Sequence, residues 1–120
     1  MIKTGIDLLE IERMRKSAKN PRFVSRFFAE SEIEYFNTLP DPAPSMAANF
    51  SAKEALGKAL GIGIFKIIPA GAAVLRNKAG EPYFEFSGKT LACTKKSGFK
   101  FSVSLTHTKT TAGAIVIAYK

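Results

Sequence analysis

The first part of the chain changes from a strand pattern to a helix pattern. Apolar or β-branched residues occupy alternate positions over residues 2–8, which predicts a strand with one apolar face. Apolar residues then recur at helical spacing up to Ala18. Asn20 and Pro21 predict a break, because proline cannot continue a preceding helix. Residues 22–28 predict a second short helix.

The middle of the chain predicts one long helix. Ser31 begins a Ser-Glu-Ile-Glu capping box, which predicts a short helix through Phe36. Three prolines then predict a loop over residues 39–45. Ser45 is a suitable N-cap for a helix through Leu60, which a Gly-Ile-Gly sequence ends.

The remaining part of the chain is dominated by strand patterns. Alternation and turn-forming residues predict a hairpin of two strands, at residues 72–76 and 82–86. A short helix is predicted at residues 91–96, and two further strands at residues 99–107 and 112–119. No internal repeat divides the chain. We therefore predict a single domain, residues 1–120, of the α+β class, in which an antiparallel sheet packs around one long helix.

The composition is that of a globular protein with an excess of positive charge. The 120 residues carry a formal net charge of +8, with one cysteine and one histidine. No apolar run is long enough to span a bilayer and no signal peptide is visible, so we expect no association with membranes. A single cysteine cannot form an intrachain disulfide, which agrees with the cytoplasmic location that we expect.

The positive charge predicts an anionic partner. Basic proteins bind nucleic acid, anionic membranes or acidic proteins. Arg13, Arg22 and Arg26 belong to a concentration of basic residues in the first two helical segments. No zinc-finger spacing, helix-turn-helix signature or RNP-like motif accompanies them, which argues against binding to nucleic acid.

The long helix carries two opposite charges among small residues. Glu54 and Lys58 are four positions apart and therefore lie on the same side of the helix. Taken alone they are best interpreted as a surface ion pair, because such pairs are common and weak. Asp7, at the end of the first strand, is a second carboxylate. Two carboxylates from distant segments also match the way in which Mg²⁺ is held beside substrate phosphates.

Several motifs together resemble a known family, the 4′-phosphopantetheinyl transferases. They are Gly-Ile-Asp at 5–7, Ile-Glu-Arg at 11–13, Phe-Ser-Ala-Lys-Glu-Ala at 50–55 with a lysine at 58, and Ser-Leu-Thr-His-Thr at 104–108. They occur in the family's order and cover nearly the whole chain. The short chain and the last motif resemble the holo-[acyl-carrier-protein] synthase branch, which implies the phosphopantetheinyl transferase fold.

The resemblance implies a reaction and a set of site residues. The 4′-phosphopantetheine group of coenzyme A would pass to a serine of apo acyl carrier protein, leaving adenosine 3′,5′-bisphosphate and supporting fatty acid synthesis. Asp7, Glu54 and Lys58 would be catalytic, with Asp7 and Glu54 holding Mg²⁺; the same ligands also suit Mn²⁺. The residues implied in coenzyme A binding are Lys58, Gly61, His107 and Thr108.

The resemblance also implies protein partners. Short members of the family form homotrimers with active sites between subunits, so His107 and Thr108 would serve a neighbouring chain. Acyl carrier protein is strongly acidic, and Arg13, Arg22 and Arg26 would dock it. From the residues alone, His107 is better explained as a packed strand-end histidine, and the arginines as solvated charges.

Two hypotheses from other functional classes stay open at this point. A basic nucleic-acid-binding domain would use Asp7 and Glu54 only structurally and would need no Mg²⁺. A non-catalytic module for acidic proteins would bind a carrier protein without modifying it. Within the transferase hypothesis, the serine proton could pass to Glu54 or to a metal-bound water, and the residues do not define which carrier proteins are accepted.

Overall fold

A computed structural model describes residues 1–64 and 68–120 of the chain. Within these residues the strands are β1 (Ile2–Glu10), β2 (Ala72–Arg76), β3 (Pro82–Phe86), β4 (Lys100–His107) and β5 (Thr111–Tyr119). The helices are α1 (Ile11–Ser17), α2 (Pro21–Phe27), α3 (Glu30–Phe36), α4 (Ala43–Leu60) and α5 (Gly88–Ser97). No helix among the described residues is both long and apolar enough to cross a bilayer.

The strands form two antiparallel sheets. β5 lies between β1 and β4 in one sheet, and β2 pairs with β3 in a hairpin. The long helix α4 packs on the inner face of the three-stranded sheet. The residues of β5 that face it alternate along the strand and are buried: Ala112, Ala114, Val116 and Ala118. The predicted α+β class, with antiparallel strands around one long helix, is confirmed.

Gly5 determines how closely β1 approaches α4. A Cβ atom at this position would overlap the carbonyl oxygen of Ala55 and crowd the amide nitrogen of Ala59. Only glycine permits this contact between two backbones. The side of β1 that carries Gly5 is therefore filled by α4.

The outer face of the three-stranded sheet is apolar and exposed. Ile6 of β1 is paired with Ile115 of β5, and their side chains are 64% and 39% exposed. Ile2, Leu8 and Tyr119 on the same face are also exposed. The predicted alternation in β1 is therefore confirmed, but its apolar side is the side away from α4.

The predicted starts of α3 and α4 are wrong. α3 begins at Glu30, and the N–H of Ala29 donates to Oε1 of Glu32 (3.0 Å), so Ser31 is not the cap. α4 begins at Ala43, whose N–H donates to Oδ1 of Asp41 (3.3 Å). Proline is tolerated in a first helical turn, so the predicted loop is shorter and Ser45 lies inside the helix.

The predicted end of α4 is confirmed. Gly61 adopts the left-handed conformation (φ 72°) that ends a helix, and its N–H donates to the carbonyl oxygen of Lys58 at 3.1 Å. The last turn of α4, which carries Lys58, lies beside β1.

Candidate active site

β1 and α4 bring Asp7, Glu54 and Lys58 together. Nζ of Lys58 donates to Oδ1 of Asp7 at 3.3 Å and to the carbonyl oxygen of Ile6 at 2.9 Å. Among the described residues, the predicted ion pair of Lys58 with Glu54 inside the helix is replaced by this pair between helix and strand. Lys58 thus links the two elements that carry the carboxylates.

Glu54 is a partly buried carboxylate next to a second one. Burial raises the pKa of Glu54 above its ordinary value, and the negative charge of Asp7 raises it further, while Lys58 acts in the opposite direction. The protein therefore neutralises this pair of carboxylates incompletely. A bound cation would relieve the remaining repulsion.

Asp7 and Glu54 face a pocket of about 330 Å³ between β1, α1, α2 and α4. Met14, Phe23 and Phe50 form apolar parts of its wall, and Arg13 contributes a positive charge. The pocket therefore combines a polar, charged side with an apolar side, as small-molecule sites commonly do.

Three phenylalanines attach α2 to α4 beside this pocket. The ring of Phe23 lies 4.7 Å from that of Phe27 and 6.0 Å from that of Phe50, measured between centroids. Phe27 is buried, whereas Phe23 and Phe50 are partly exposed and line the pocket. Helical spacing alone predicts that Phe23 and Phe27 are both buried on one side of α2. It does not predict that Phe23 is partly exposed at a pocket.

The donor set fits a magnesium ion. Mg²⁺ is usually held by one or two carboxylates, with waters and substrate phosphates as its other ligands. Among the described residues, no group of three or more His, Cys, Asp or Glu side chains is placed to hold a metal ion. Asp7 and Glu54 would therefore leave most coordination positions to water and phosphate.

His107 and Thr108 lie away from the two carboxylates of the same chain. His107 is exposed at the end of β4, with Nδ1 3.1 Å from the carbonyl oxygen of Thr108. It is not the packed histidine that the strand pattern alone indicates. It borders a second pocket, of about 210 Å³, together with Ser45, Arg76 and Pro82.

The two pockets border different faces of α4. Phe50 and Glu54 line the first pocket, and Ser45 and Ala48 line the second. In the sheet, His107 is two strands from β1, or roughly 10 Å. In the part of the chain that the structure describes, Asp7 therefore lines the first pocket and His107 lines the second.

The other residues predicted to bind coenzyme A have mainly local contacts. Oγ1 of Thr108 accepts from the N–H groups of Thr110 (3.3 Å) and Thr111 (3.1 Å), and so closes the turn before β5. Gly61 is exposed directly after α4, one turn beyond Lys58.

Of the three arginines predicted to dock an acidic protein, one lines the first pocket and two are exposed on a helix that borders it. Arg13 borders the pocket from α1, and Arg22 and Arg26 are exposed on α2, which contributes Phe23 to the wall. Arg15 is used differently, because its guanidinium group binds Asp41 (2.7 and 3.1 Å) and Glu12 (2.9 Å).

Sequence reasoning missed a buried polar cluster of Glu32, Asn49 and Lys53. Each of these side chains is fully buried, and Nζ of Lys53 lies 2.7 Å from Oε1 of Glu32. The sequence did contain an indication of this cluster, because Asn49 and Lys53 are four positions apart on the same side of α4. This side of the helix borders the apolar residues Ala52 and Leu56, and a lysine buried there requires a partner for its charge.

Comparison with known proteins decides the family. A sequence model of the 4′-phosphopantetheinyl transferase superfamily matches residues 3–117. The chain belongs to this superfamily. It is similar to a holo-[acyl-carrier-protein] synthase of Treponema denticola, with 44% identity over 115 residues that cover 94% of each chain. The predicted family and enzyme class, a phosphopantetheinyl transferase, are confirmed.

Solved structures support the fold of this transferase. The holo-[acyl-carrier-protein] synthase of Neisseria meningitidis is similar over 100% of both chains, with a TM-score of 0.91 and 27% identity. The Helicobacter pylori enzyme, determined in complex with coenzyme A, has a TM-score of 0.82 and 28% identity over 99% of this chain and 100% of that one. The phosphopantetheinyl transferase fold is therefore confirmed.

Proposed function

We propose that this transferase moves the 4′-phosphopantetheine group from coenzyme A to a serine of apo acyl carrier protein, with Mg²⁺ as its cofactor. The observation that carries the proposal is the pair of carboxylates, Asp7 and Glu54, that lines one pocket, with Lys58 bonded to Asp7. The similarity to holo-[acyl-carrier-protein] synthases, one of them determined with coenzyme A, supports the choice of substrates.

The proposed reaction forms one bond and breaks one. The serine oxygen bonds to the phosphorus that carries pantetheine, and the bond from this phosphorus to the bridging oxygen breaks. The bridging oxygen keeps the electron pair and leaves as part of adenosine 3′,5′-bisphosphate, while a base takes the serine proton. Catalysis of such a transfer rests mainly on positioning and charge neutralisation.

Asp7, Glu54 and Lys58 would divide these tasks. Asp7 and Glu54 would hold Mg²⁺, which supplies positive charge to the pyrophosphate when it is bound. Lys58, whose side chain is 56% exposed, would donate from Nζ to a phosphate oxygen. Glu54, or a water that it holds, would accept the serine proton.

We propose that a complete site uses two chains of a homotrimer. Among the described residues His107 lines a different pocket from Asp7, so His107 and the adjacent Thr108 would contact coenzyme A bound mainly by a neighbour. The exposed apolar face of the sheet, which includes Ile6, Leu8 and Ile115, supports association because isolated soluble proteins seldom expose such patches. The number of three subunits rests on the family resemblance.

The carrier protein would dock along α1 and α2. Arg13, Arg22 and Arg26 would attract its acidic surface and speed the encounter, while Phe23 and Phe50 offer apolar contact near the pocket. We further propose a cytoplasmic location and a role in fatty acid synthesis. The single cysteine, which cannot form an intrachain disulfide, supports this location.

Intact-protein mass spectrometry tests the transfer directly. Apo acyl carrier protein is incubated with this protein, coenzyme A and Mg²⁺, and parallel samples contain EDTA or the Glu54→Gln variant. We expect the carrier protein to gain one phosphopantetheine, and both changes to abolish the gain. Glu85→Gln, at an exposed position of β3, makes the same chemical change and is the matched control, which should remain active. No gain on any well-folded carrier protein would refute the proposal.

A further inference from the structure

A buried ion pair lies next to the candidate active site but outside it. Lys53 and Glu32 are both fully buried, with Nζ of Lys53 2.7 Å from Oε1 of Glu32. The same ammonium group donates to the carbonyl oxygens of Pro69 (2.9 Å) and Ala72 (2.7 Å). Its three protons therefore have three acceptors.

Glu32 is satisfied in the same way. Oε1 accepts from the N–H of Ala29 (3.0 Å), and Oε2 accepts from Nδ2 of Asn49 (2.9 Å). Nδ2 of Asn49 also donates to the carbonyl oxygen of Val74 (3.1 Å). Directional bonds therefore join α4 to α3 and to the chain that enters β2.

Stability alone does not account for this arrangement. Burial lowers the pKa of Lys53, which reflects the cost of removing its charge from water. Well-packed apolar residues in place of a buried ion pair are often neutral or stabilising. Hydrogen-bonded ion pairs differ from apolar contacts because each of their bonds is favourable only in a narrow range of directions.

Among the described residues, the other polar contacts of α4 with the fold are those of Lys58 with β1 and of Asp41 with its first turn, and most of its remaining contact is apolar. Its buried residues include many alanines: Ala43, Ala47, Ala48, Ala52, Ala55 and Ala59. Alanine forms shallow ridges, so these contacts discriminate weakly between small rotations or shifts of the helix. Consecutive residues of a helix are about 100° apart, so a fixed direction for Lys53 also fixes the direction of Glu54.

We propose that Lys53 is a positioning residue for the transferase reaction. The network of Lys53, Glu32 and Asn49 sets the rotation and the axial register of α4. It thereby places Glu54 and Lys58 against Asp7, and it holds residues 69–72 against the same helix. The catalytic consequence rests on the proposed function, whereas the structural consequence does not.

An apolar replacement of the pair separates positioning from stability. In the Glu32→Leu/Lys53→Met double variant we expect a melting temperature close to that of the wild type. We also expect faster amide hydrogen exchange in peptides spanning residues 68–76, because the bonds to Pro69 and Ala72 are lost. kcat/KM should fall about 10²-fold, since small misplacements of reacting groups are costly. Lys96→Met is the control for loss of one lysine.

Two further measurements keep the proposal falsifiable. Coenzyme A affinity, measured by calorimetry without carrier protein, should fall in the double variant. If the double variant does not fold, Asn49→Leu keeps the ion pair but removes two bonds of the network, and should lower coenzyme A affinity several-fold. The proposal would be overturned if the variant that folds, whether the double variant or Asn49→Leu, had the same hydrogen exchange, coenzyme A affinity and kinetics as the wild type.

Failure of the proposed function can be recognised separately. A wild-type protein that modifies no carrier protein would refute the reaction, but the hydrogen-exchange comparison would still test whether the network positions α4.

Discussion

The ammonium nitrogen of Lys58 lies 3.3 Å from a carboxylate oxygen of Asp7, although 51 positions separate the two residues. The side chain of Asp7 is 18% exposed and that of Lys58 is 56% exposed. Because the lysine is more than half exposed, we expect this ion pair to contribute little to stability. Its importance is in orientation, because it places a positive charge beside Asp7 at the pocket.

Replacement of Lys58 should therefore affect catalysis more than folding. In Lys58→Met we expect kcat/KM for coenzyme A to fall about 10²-fold or more, since a charged donor to the phosphates is lost. The melting temperature should change by no more than about 2 °C. Steady-state kinetics and thermal unfolding check both values. Lys96→Met, at an exposed position of α5, is the control, and equal kinetics in the two variants would exclude Lys58 from the site.

Glu54 should reduce the stability of the metal-free protein at neutral pH. Its pKa is raised by burial and by Asp7, so the folded state favours the protonated form. Its contribution to the free energy of unfolding is therefore present at low pH and is lost as pH rises through the folded-state pKa.

Glu54→Gln in EDTA should accordingly raise the melting temperature at neutral pH while abolishing transfer. The difference from the wild type should disappear below the ordinary pKa of 4.5, where Glu54 is protonated in both states. Differential scanning calorimetry across this range tests the sign. A lower melting temperature for the variant at neutral pH would contradict it.

Gly5→Ala should disrupt the contact of β1 with α4. The added methyl group would meet the backbone of Ala55 and Ala59, neither of which can move without shifting the helix. We expect a loss of about 3 kcal/mol in the free energy of unfolding, or failure to fold. Urea denaturation measures it. Gly63→Ala, where a Cβ would meet no atom of the described residues within 4 Å, is the matched control and should lose much less.

Charge reversal at Arg22 should weaken the encounter with the carrier protein. Arg22 is exposed on α2, and we expect Arg22→Glu to raise the KM for carrier protein about tenfold, with little change in the KM for coenzyme A. The salt dependence of kcat/KM should also decrease. Lys96→Glu makes the same change of charge on α5. A matching rise in KM there would indicate general electrostatics instead of a docking surface.

A charge on the outer face of the sheet should prevent association. Ile115 lies opposite Ile6 on this face, so Ile115→Glu would place a carboxylate in any interface formed there. Light scattering coupled to size-exclusion chromatography should give a trimer for the wild type and a smaller species for the variant. A monomeric wild type would refute the homotrimer.

Local patterns correctly predicted most elements. The alternation in β1, the break at Asn20 and Pro21, and the glycine end of α4 depend on neighbouring residues, which the sequence displays directly. The start of α4 was mispredicted because the prolines were taken as a loop up to residue 45, although proline is tolerated in the first turn of a helix. Asp41, which accepts from the N–H of Ala43, is in addition held by Arg15 of α1, a contact between distant segments that the local pattern does not display.

The sequence by itself determined the element types, the family and the residues able to carry charge chemistry, since these depend on short-range spacing and on motifs. The tertiary structure decided which of those residues meet. Gly5 lets β1 lie against α4, and this contact brings Asp7 to Glu54 and Lys58 while leaving His107 beside another pocket. It also decided that Lys53 is buried against Glu32, because burial depends on what packs from elsewhere in the chain.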